Sequence, residues 1–325
     1  MKEILELPED AQTLYRLGMK KLLEGKEDEA LEHLQRSLEI EWQDEVFEEI
    51  IQVNMILLRL TLVKELWETN FARVEDLITR PALIPLYVQC LPILMPFKQR
   101  LMTLNELKSA MQKQSWDTTV LEEQLESVKE LVSLQTQIEI ATEQDSLEQW
   151  VEDNFDIPPF EQLLKVKPLY EIDSSVVRPV FELILQSDDF YNYIKNDILH
   201  HLIIHKTSGT VEYSWFGEHE ILDLEQLSVA NDHPLIQEVI QKLLDYVEKE
   251  NPHMEGMIMD YFYAMAMIIY PHYDEIDLTA DQWVKEILLL LGLEGDPFRD
   301  EVMINDIFAT AQFEYLDIMD DDIFI

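Results

Sequence analysis

The sequence predicts a mainly α-helical protein, built as a helical-hairpin solenoid followed by an α-rich C-terminal domain that contains one small β-hairpin. Helix formers such as Leu, Glu, Gln, Lys and Met dominate the 325 residues, and only 7 residues are Gly. Residues 11–44 hold two amphipathic helical runs joined by a short turn. The alternation typical of β-strands is convincing only in residues 210–224.

The first predicted element is the helical hairpin of residues 11–44. Its apolar residues are Leu14, Leu17, Leu22 and Leu23 in the first run and Ala30, Leu31, Leu34, Leu38 and Ile40 in the second. The turn that begins at Gly25 is too short for anything but an antiparallel pair of helices. Gly18 and Ala30 are expected to face the inside, where small side chains let two helix backbones approach closely.

The hairpin resembles a tetratricopeptide repeat (TPR), a repeat of 34 residues. The residues that match the TPR signature are Leu14, Leu17, Gly18, Ala30, Leu34 and Ser37, with Ser37 in place of a usual Ala. The pattern departs from the family at Lys21, where an aromatic residue is common, and at Trp42, where Pro is common. A single helical repeat cannot bury its own faces, so the resemblance implies a TPR-like solenoid, which we assign to residues 1–151.

The TPR resemblance implies a groove that binds a peptide. Chaperone-tail binders of this family clamp a terminal carboxylate with Lys and Asn, and the matching positions here are Tyr15 and Met19. An acidic tail is therefore not the expected ligand. A groove formed by Tyr15, Met19 and Leu22 and ringed by acidic residues would suit a basic, amphipathic or partly unfolded segment of a protein partner. Alternatively, these three side chains pack against the helices that follow.

The remainder of the first domain is predicted to be helical. Residues 45–66 predict one long, largely apolar helix with Leu58 on its inner stripe. Residues 83–112 predict two more helices, and Ser115 or Asp117 is expected to cap the next one.

A domain boundary is predicted at residues 152–159, where Pro158 and Pro159 stop helices, so the second domain is assigned to residues 152–325. Its hairpin, near 210–224, is expected to turn at Phe216 and to need helices to pack on.

The end of the second domain is predicted to be helical and then acidic. A helix rich in Met and Tyr, residues 254–270, is apolar most of the way round and is expected to be buried. A last helix is expected at about 297–315, followed by an acidic tail at 317–325. Residues 196–224 and 250–273 are similar to uncharacterised cytosolic TPR-containing proteins of low-GC Gram-positive bacteria, a resemblance that implies no activity.

The net charge of −42 argues against nucleic acid and anionic membranes as partners, because both require Lys and Arg to neutralise phosphate. No stretch is long and apolar enough to span a bilayer, and the N-terminus lacks the pattern of a signal peptide. The lone Cys90 lies in an apolar run, which indicates a reducing, cytoplasmic setting without disulfides.

Few residues suggest chemistry. His201 and His205 lie one helical turn apart and could bind a metal if His219, Glu218 or Glu220 supplied a third ligand. The alternative is that they are ordinary histidines of the last helical turn. Nucleotide-binding and hydrolase motifs are absent from the sequence, and we expect neither a cofactor nor an enzyme.

The function expected from the sequence is therefore a non-enzymatic adaptor or chaperone-like scaffold that recognises a polypeptide partner through the TPR-like groove. One alternative is an acidic regulator that sequesters a basic nucleic-acid-binding protein, with residues 317–325 as its contact. The other is a metal-dependent hydrolase that uses His201 and His205.

Overall fold

The computed structural model describes residues 10–71, 73–293 and 305–320. Within these residues the chain forms sixteen α-helices and one two-stranded antiparallel hairpin, which confirms the predicted mainly α fold class. The chain divides into two compact units, Met1–Leu134 and Gln135–Ile325. The division falls inside a helix, whereas the sequence places it at 151/152.

The first unit is a succession of helices. They are α1 (Ala11–Leu23), α2 (Glu27–Ile40), α3 (Asp44–Ile56), α4 (Leu60–Asn70), α5 (Val74–Ile78), α6 (Ile84–Leu94), α7 (Phe97–Lys113) and the first part of α8 (Thr119–Glu143). Most of them pack on the next helix along the chain, while α5 packs on α7 and α4 also packs on α6. Aromatic rings join α3, α4 and α6 in the larger core, where Phe47 and Trp67 have ring centroids 5.0 Å apart and Trp67 and Tyr87 5.1 Å apart. Cys90 is buried in this core, and burial raises the pKa of its thiol.

The predicted hairpin of α1 and α2 is confirmed. Asp10 caps α1 by accepting a hydrogen bond from the backbone N–H of Thr13 at 2.7 Å. The turn after α1 places Gly25 at a φ of 68°, in the left-handed region that glycine tolerates best. The buried Ser37 hydroxyl donates to the carbonyl oxygen of Ala11 at 2.7 Å and ties the end of α2 to the start of α1.

The single helix predicted for residues 45–66 is wrong, because the chain breaks it between α3 and α4. Leu58 adopts a φ of 54° and is 78% exposed, so it does not lie on an inner stripe. The turn is closed by the backbone N–H of Arg59, which donates to the carbonyl oxygen of Asn54 at 2.8 Å. The Arg59 guanidinium also donates to Asp28 on α2 at 2.7 Å, so the turn contacts the preceding hairpin.

The second unit surrounds a central apolar helix. Its elements are the remainder of α8, α9 (Leu147–Phe155), α10 (Pro159–Leu169), α11 (Ser174–Gln186), α12 (Asn192–Ile204), β1 (Thr210–Trp215), β2 (Glu218–Asp223), α13 (Pro234–Glu250), α14 (Glu255–Ile269), α15 (Ala280–Leu290) and α16 (Asp306–Asp320). Helix α14 packs against α12, α13, α15 and α16. It buries Ile258, Phe262 and Met265 as predicted, while Met257 and Tyr263 keep 46% and 39% of their surface exposed.

The last helix, predicted at 297–315, is α16 at Asp306–Asp320. Residues 294–304 and 321–325 lie outside the described residues, so most of the predicted acidic tail at 317–325 does as well.

The predicted β-hairpin is confirmed, with Tyr213 opposite Glu220 and a two-residue turn at Phe216 and Gly217. The turn residues have φ values of 47° and 84°, as a tight hairpin turn requires. The Tyr213 hydroxyl donates to Oδ1 of the buried Asn196 at 2.6 Å, and Nδ2 of Asn196 donates to the carbonyl oxygen of Tyr270 at 2.7 Å. One amide thus joins the hairpin, α12 and the end of α14, which stabilises a sheet too small to persist alone.

Candidate functional site

The second unit carries a groove between α9, α11 and the outer face of the hairpin. It consists of two cavities of about 960 Å³ and about 730 Å³. The cavities adjoin, because Glu148, Glu152, Leu183 and Gln186 line both of them. We call this feature the acidic groove and define it by Glu148, Glu152, Glu182, Leu183, Glu212 and Ile221.

Helix α9 forms one wall of the groove. Its apolar residues occupy a single face that is buried, so its glutamates are left on the exposed side. Val151 and Phe155, one helical turn apart, are buried and hold the helix on the unit. Glu148 and Glu152, also one turn apart, are left exposed and line both cavities. The spacing of four residues therefore sets two carboxylates side by side along the groove.

Helix α11 and the hairpin form the other walls. The buried Phe181 and Ile184 anchor α11, and Glu182 and Leu183 are left half-buried at the groove. On the hairpin, Glu212 and Ile221 lie opposite each other. Ile221 is 70% exposed, so the groove offers an apolar surface next to its carboxylates.

The electrostatics of the acidic groove are one-sided. Asp145 and Asp156 add to the glutamates already named, and no Lys or Arg lines either cavity among the described residues. Glu182 has a cation nearby, since Nε of Arg178 donates to its Oε1 at 2.8 Å. Carboxylates with apolar side chains between them favour a ligand that carries both positive charge and apolar groups.

A buried acceptor without a partner lies in the wall of the second cavity. Gln162 is only 6% exposed, and its Nε2 donates to the carbonyl oxygen of Phe155 at 2.9 Å. Its Oε1 receives no hydrogen bond from any residue that the structure describes. An unsatisfied buried acceptor is costly, so a ligand that donates a hydrogen bond here would be favoured.

The residues predicted for the TPR-like groove come together on one side of α1. Tyr15, Met19 and Leu22 are partly buried and pack on the core formed by α2 and α3, next to Leu34 and Ile50. Burial raises the pKa of the Tyr15 hydroxyl, with nearby glutamates adding to the effect. The three side chains contact the following helices and keep part of their surface exposed, and their contact with a partner stays a prediction.

The predicted histidine pair is close in space but is held by aromatic packing. The rings of His201 and His205 have centroids 4.2 Å apart, and Tyr170 stacks on His201 at 4.3 Å. Burial, and then the neighbouring His205, lower the pKa of His201 to about 4. Nδ1 of His205 lies 2.9 Å from the carbonyl oxygen of His201.

None of the predicted third ligands joins this pair. His219 lies beside Asp188, with Nε2 3.5 Å from its Oδ2, and Glu220 contacts His272. Over residues 10–71, 73–293 and 305–320, no group of three or more His, Cys, Asp or Glu side chains is placed to hold a metal ion.

The acidic groove was not predicted from the sequence. The one local signal is the pair of glutamates four residues apart in α9, and such pairs are common in a chain with 66 acidic residues. Gln162 carries no signal at all, because nothing in the sequence shows that one of its atoms lacks a partner.

Comparison of the chain with models of known protein families, with curated proteins and with solved structures finds no match. The TPR resemblance of residues 11–44 therefore stays a prediction. None of the helices in the described part of the chain has the length and apolar character needed to cross a membrane.

Proposed function

We propose that the protein is a non-enzymatic adaptor that binds a basic, amphipathic segment of a polypeptide partner in the acidic groove. The observation that carries this proposal is the row of carboxylates from α9, α11 and the hairpin beside the exposed Ile221 and the half-buried Leu183. The buried, unpartnered acceptor of Gln162 supports it, because a polypeptide backbone and basic side chains both supply N–H donors.

The whole chain favours the same kind of partner. Its net charge of −42 repels other anions and speeds the approach of a basic protein. We place such an adaptor in the cytoplasm, since its single, buried Cys90 suits a reducing compartment. The partly exposed surface of Tyr15, Met19 and Leu22 is a second place where the same segment could bind.

An acidic regulator that sequesters a basic nucleic-acid-binding protein is the second candidate, and the net charge favours it. It would act through the tail at 317–325, of which residues 321–325 lie outside the described part. Deletion of residues 321–325 would abolish binding by this regulator and would leave binding in the acidic groove unchanged.

The test uses a fluorescein-labelled peptide that alternates leucine with lysine, titrated with the full chain and followed by fluorescence anisotropy. The double variant Glu148→Lys/Glu152→Lys reverses two charges in the acidic groove and is expected to weaken binding about tenfold or more. The control Glu248→Lys/Glu255→Lys makes the same change in net charge on exposed residues of α13 and α14 and is expected to alter affinity less than about twofold.

Two outcomes would contradict the proposal. Equal weakening by both double variants would mean that net charge alone attracts the peptide. Loss of binding in Tyr15→Ala/Met19→Ala, with circular dichroism unchanged, would move the site to α1 in the first unit.

A further inference from the structure

A small pocket continues the acidic groove at the start of α12. Its volume is about 330 Å³, and it shares Asp189, Phe190 and Tyr191 with the second cavity of the groove. The hairpin turn contributes Phe216, and α16 contributes Glu314. We call it the end pocket.

The floor of the end pocket is polar and incompletely satisfied. Asn192 is 3% exposed, and its Nδ2 donates to Oε2 of Glu314 at 3.1 Å. The backbone N–H of Tyr193 donates to Oε1 of Glu314 at 2.7 Å. Oδ1 of Asn192, however, accepts no hydrogen bond from any described residue. The residues that line the end pocket therefore include a buried acceptor without a partner and a buried carboxylate, and a ligand with several N–H donors would suit both.

Among the described residues, Lys195 is the one cation that lines the end pocket, and it is already engaged. Nζ of Lys195 donates to the carbonyl oxygen of Ser214 at 2.5 Å and to that of Ser187 at 3.3 Å. The pocket also contains the carboxylates of Asp188, Asp189 and Glu314, which leaves three carboxylates against one ammonium group. This balance favours a positively charged ligand.

Three aromatic residues and Gly217 line the rest of the end pocket. Phe190 and Tyr191 come from the loop before α12, and Phe216 comes from the hairpin turn. Phe216 has a φ of 47°, a left-handed conformation that asparagine adopts more readily than phenylalanine. An aromatic ring therefore lies at this pocket although its backbone conformation in the turn is strained, and strained backbone of this kind is concentrated at functional sites.

We propose that the end pocket binds the guanidinium group of an arginine side chain of the partner segment. This inference rests on the proposed function and names the side chain that the acidic groove recognises. A guanidinium group is planar, stacks on aromatic faces and offers five donors in a fixed fork. It would donate to Oδ1 of Asn192 and to the carboxylate of Glu314, whereas the compact ammonium group of lysine lacks the planar surface that stacks on aromatic rings.

The experiment compares three peptides on the full chain. Each alternates leucine with lysine, and its central lysine is kept or replaced by arginine or by citrulline, the neutral isostere of arginine. The arginine peptide is expected to bind about tenfold more tightly than the citrulline peptide and more tightly than the lysine peptide, because a charge-assisted hydrogen bond is lost with citrulline.

The variant Phe216→Asn tests the end pocket without disturbing the fold, because it removes an aromatic ring and keeps a residue that suits the turn. Asparagine before Gly217 suits the hairpin turn, so the variant is expected to keep its thermal stability while its arginine preference falls to less than about twofold. The control Glu218→Gln changes a residue beside the turn that does not line the end pocket, and it should keep the preference.

The outcomes separate the two proposals. Equal affinity of all three peptides for the wild-type chain, or an arginine preference that Phe216→Asn leaves intact, would overturn the end pocket and leave the acidic groove standing. Failure of every peptide to bind would overturn both.

Discussion

At the scale of single residues, the close packing of α1 against α2 depends on Gly18. A methyl group on its Cα would lie 2.8 Å from Cγ of Leu34 and 3.2 Å from the carbonyl oxygen of Ala30. Leu34 is fully buried, so it has little room to yield. The hairpin of α1 and α2 therefore needs glycine at this position for reasons of space, although glycine lowers helix propensity.

Gly18→Ala is expected to destabilise the hairpin by about 1–3 kcal/mol, because overpacking outweighs the gain in helix propensity. Gly256→Ala is the matched control, since Gly256 is exposed in the first turn of α14 and has no atom within 4 Å of a new methyl group. Hydrogen exchange followed by mass spectrometry should show faster exchange in α1 and α2 for Gly18→Ala only. Unchanged exchange in both helices would show that Leu34 can move aside.

The sequence predicted the role of Gly18 in helix packing but not the role of Asn192 in the end pocket, and the difference has a physical reason. A small residue within an amphipathic helix signals a close approach even before the partner helix is known, because nothing else explains its place. The value of Asn192 to a site lies in which of its atoms lacks a partner. That depends on Glu314, which is far away in the chain and comes close only after folding.

At the scale of elements, α16 is attached to the start of α12 through Glu314. This carboxylate accepts from the backbone of Tyr193 and the side chain of Asn192, and it is only 7% exposed. Burial raises its pKa to about 7, although those two donors and the ammonium group of Lys195 act in the opposite direction. Burial also lowers the pKa of Lys195 to about 8.

The attachment of α16 should therefore weaken as the pH rises. The pKa of Glu314 is higher in the folded chain than the 4.5 of an ordinary glutamate. The contribution of this carboxyl group to the free energy of unfolding is therefore fully present below pH 4.5 and is lost as the pH rises to about 7. Relative to Glu314→Gln, the wild type should lose about 3 kcal/mol of unfolding free energy across this window. Urea unfolding at several pH values measures it.

A second variant separates the buried carboxylate from charge in general. Asp306→Asn removes one carboxylate from the exposed start of the same helix. If the pH dependence of Glu314→Gln matched that of the wild type, the protonation of Glu314 would not be what links α16 to pH.

Elements differ in how far the sequence determines them. The hairpin was predicted because alternating residues flank the glycine-containing turn at Phe216 and Gly217, and both signals are local. The break between α3 and α4 was missed because Leu58 is neither glycine nor proline. The turn at the break is closed by a backbone hydrogen bond from Arg59 to Asn54, and Arg59 also forms an ion pair with Asp28 of another element. Periodicity carries no trace of such contacts.

At the scale of the whole molecule, the acidic groove lay beyond what the sequence could predict. Its walls come from α9, α11 and the hairpin, which are separate in the chain. The net charge of −42 predicted that a partner would be basic but not where it would bind. Charge follows from composition alone, whereas a groove forms only when helices pack.

The same net charge should make salt act on folding and on binding in opposite directions. Acidic residues outnumber basic ones by 66 to 24, so the folded chain repels itself and sodium chloride should relieve that repulsion. From about 0.02 M to about 0.2 M salt, the melting temperature of the chain is expected to rise by about 2–4 °C. Over the same range the leucine–lysine peptide should bind about tenfold more weakly, since its attraction to the acidic groove is screened.

Calorimetry and fluorescence anisotropy in matched buffers measure the two effects. A melting temperature that falls with salt would attribute the weaker binding to unfolding, and an affinity that does not change would show that apolar contacts dominate in the groove.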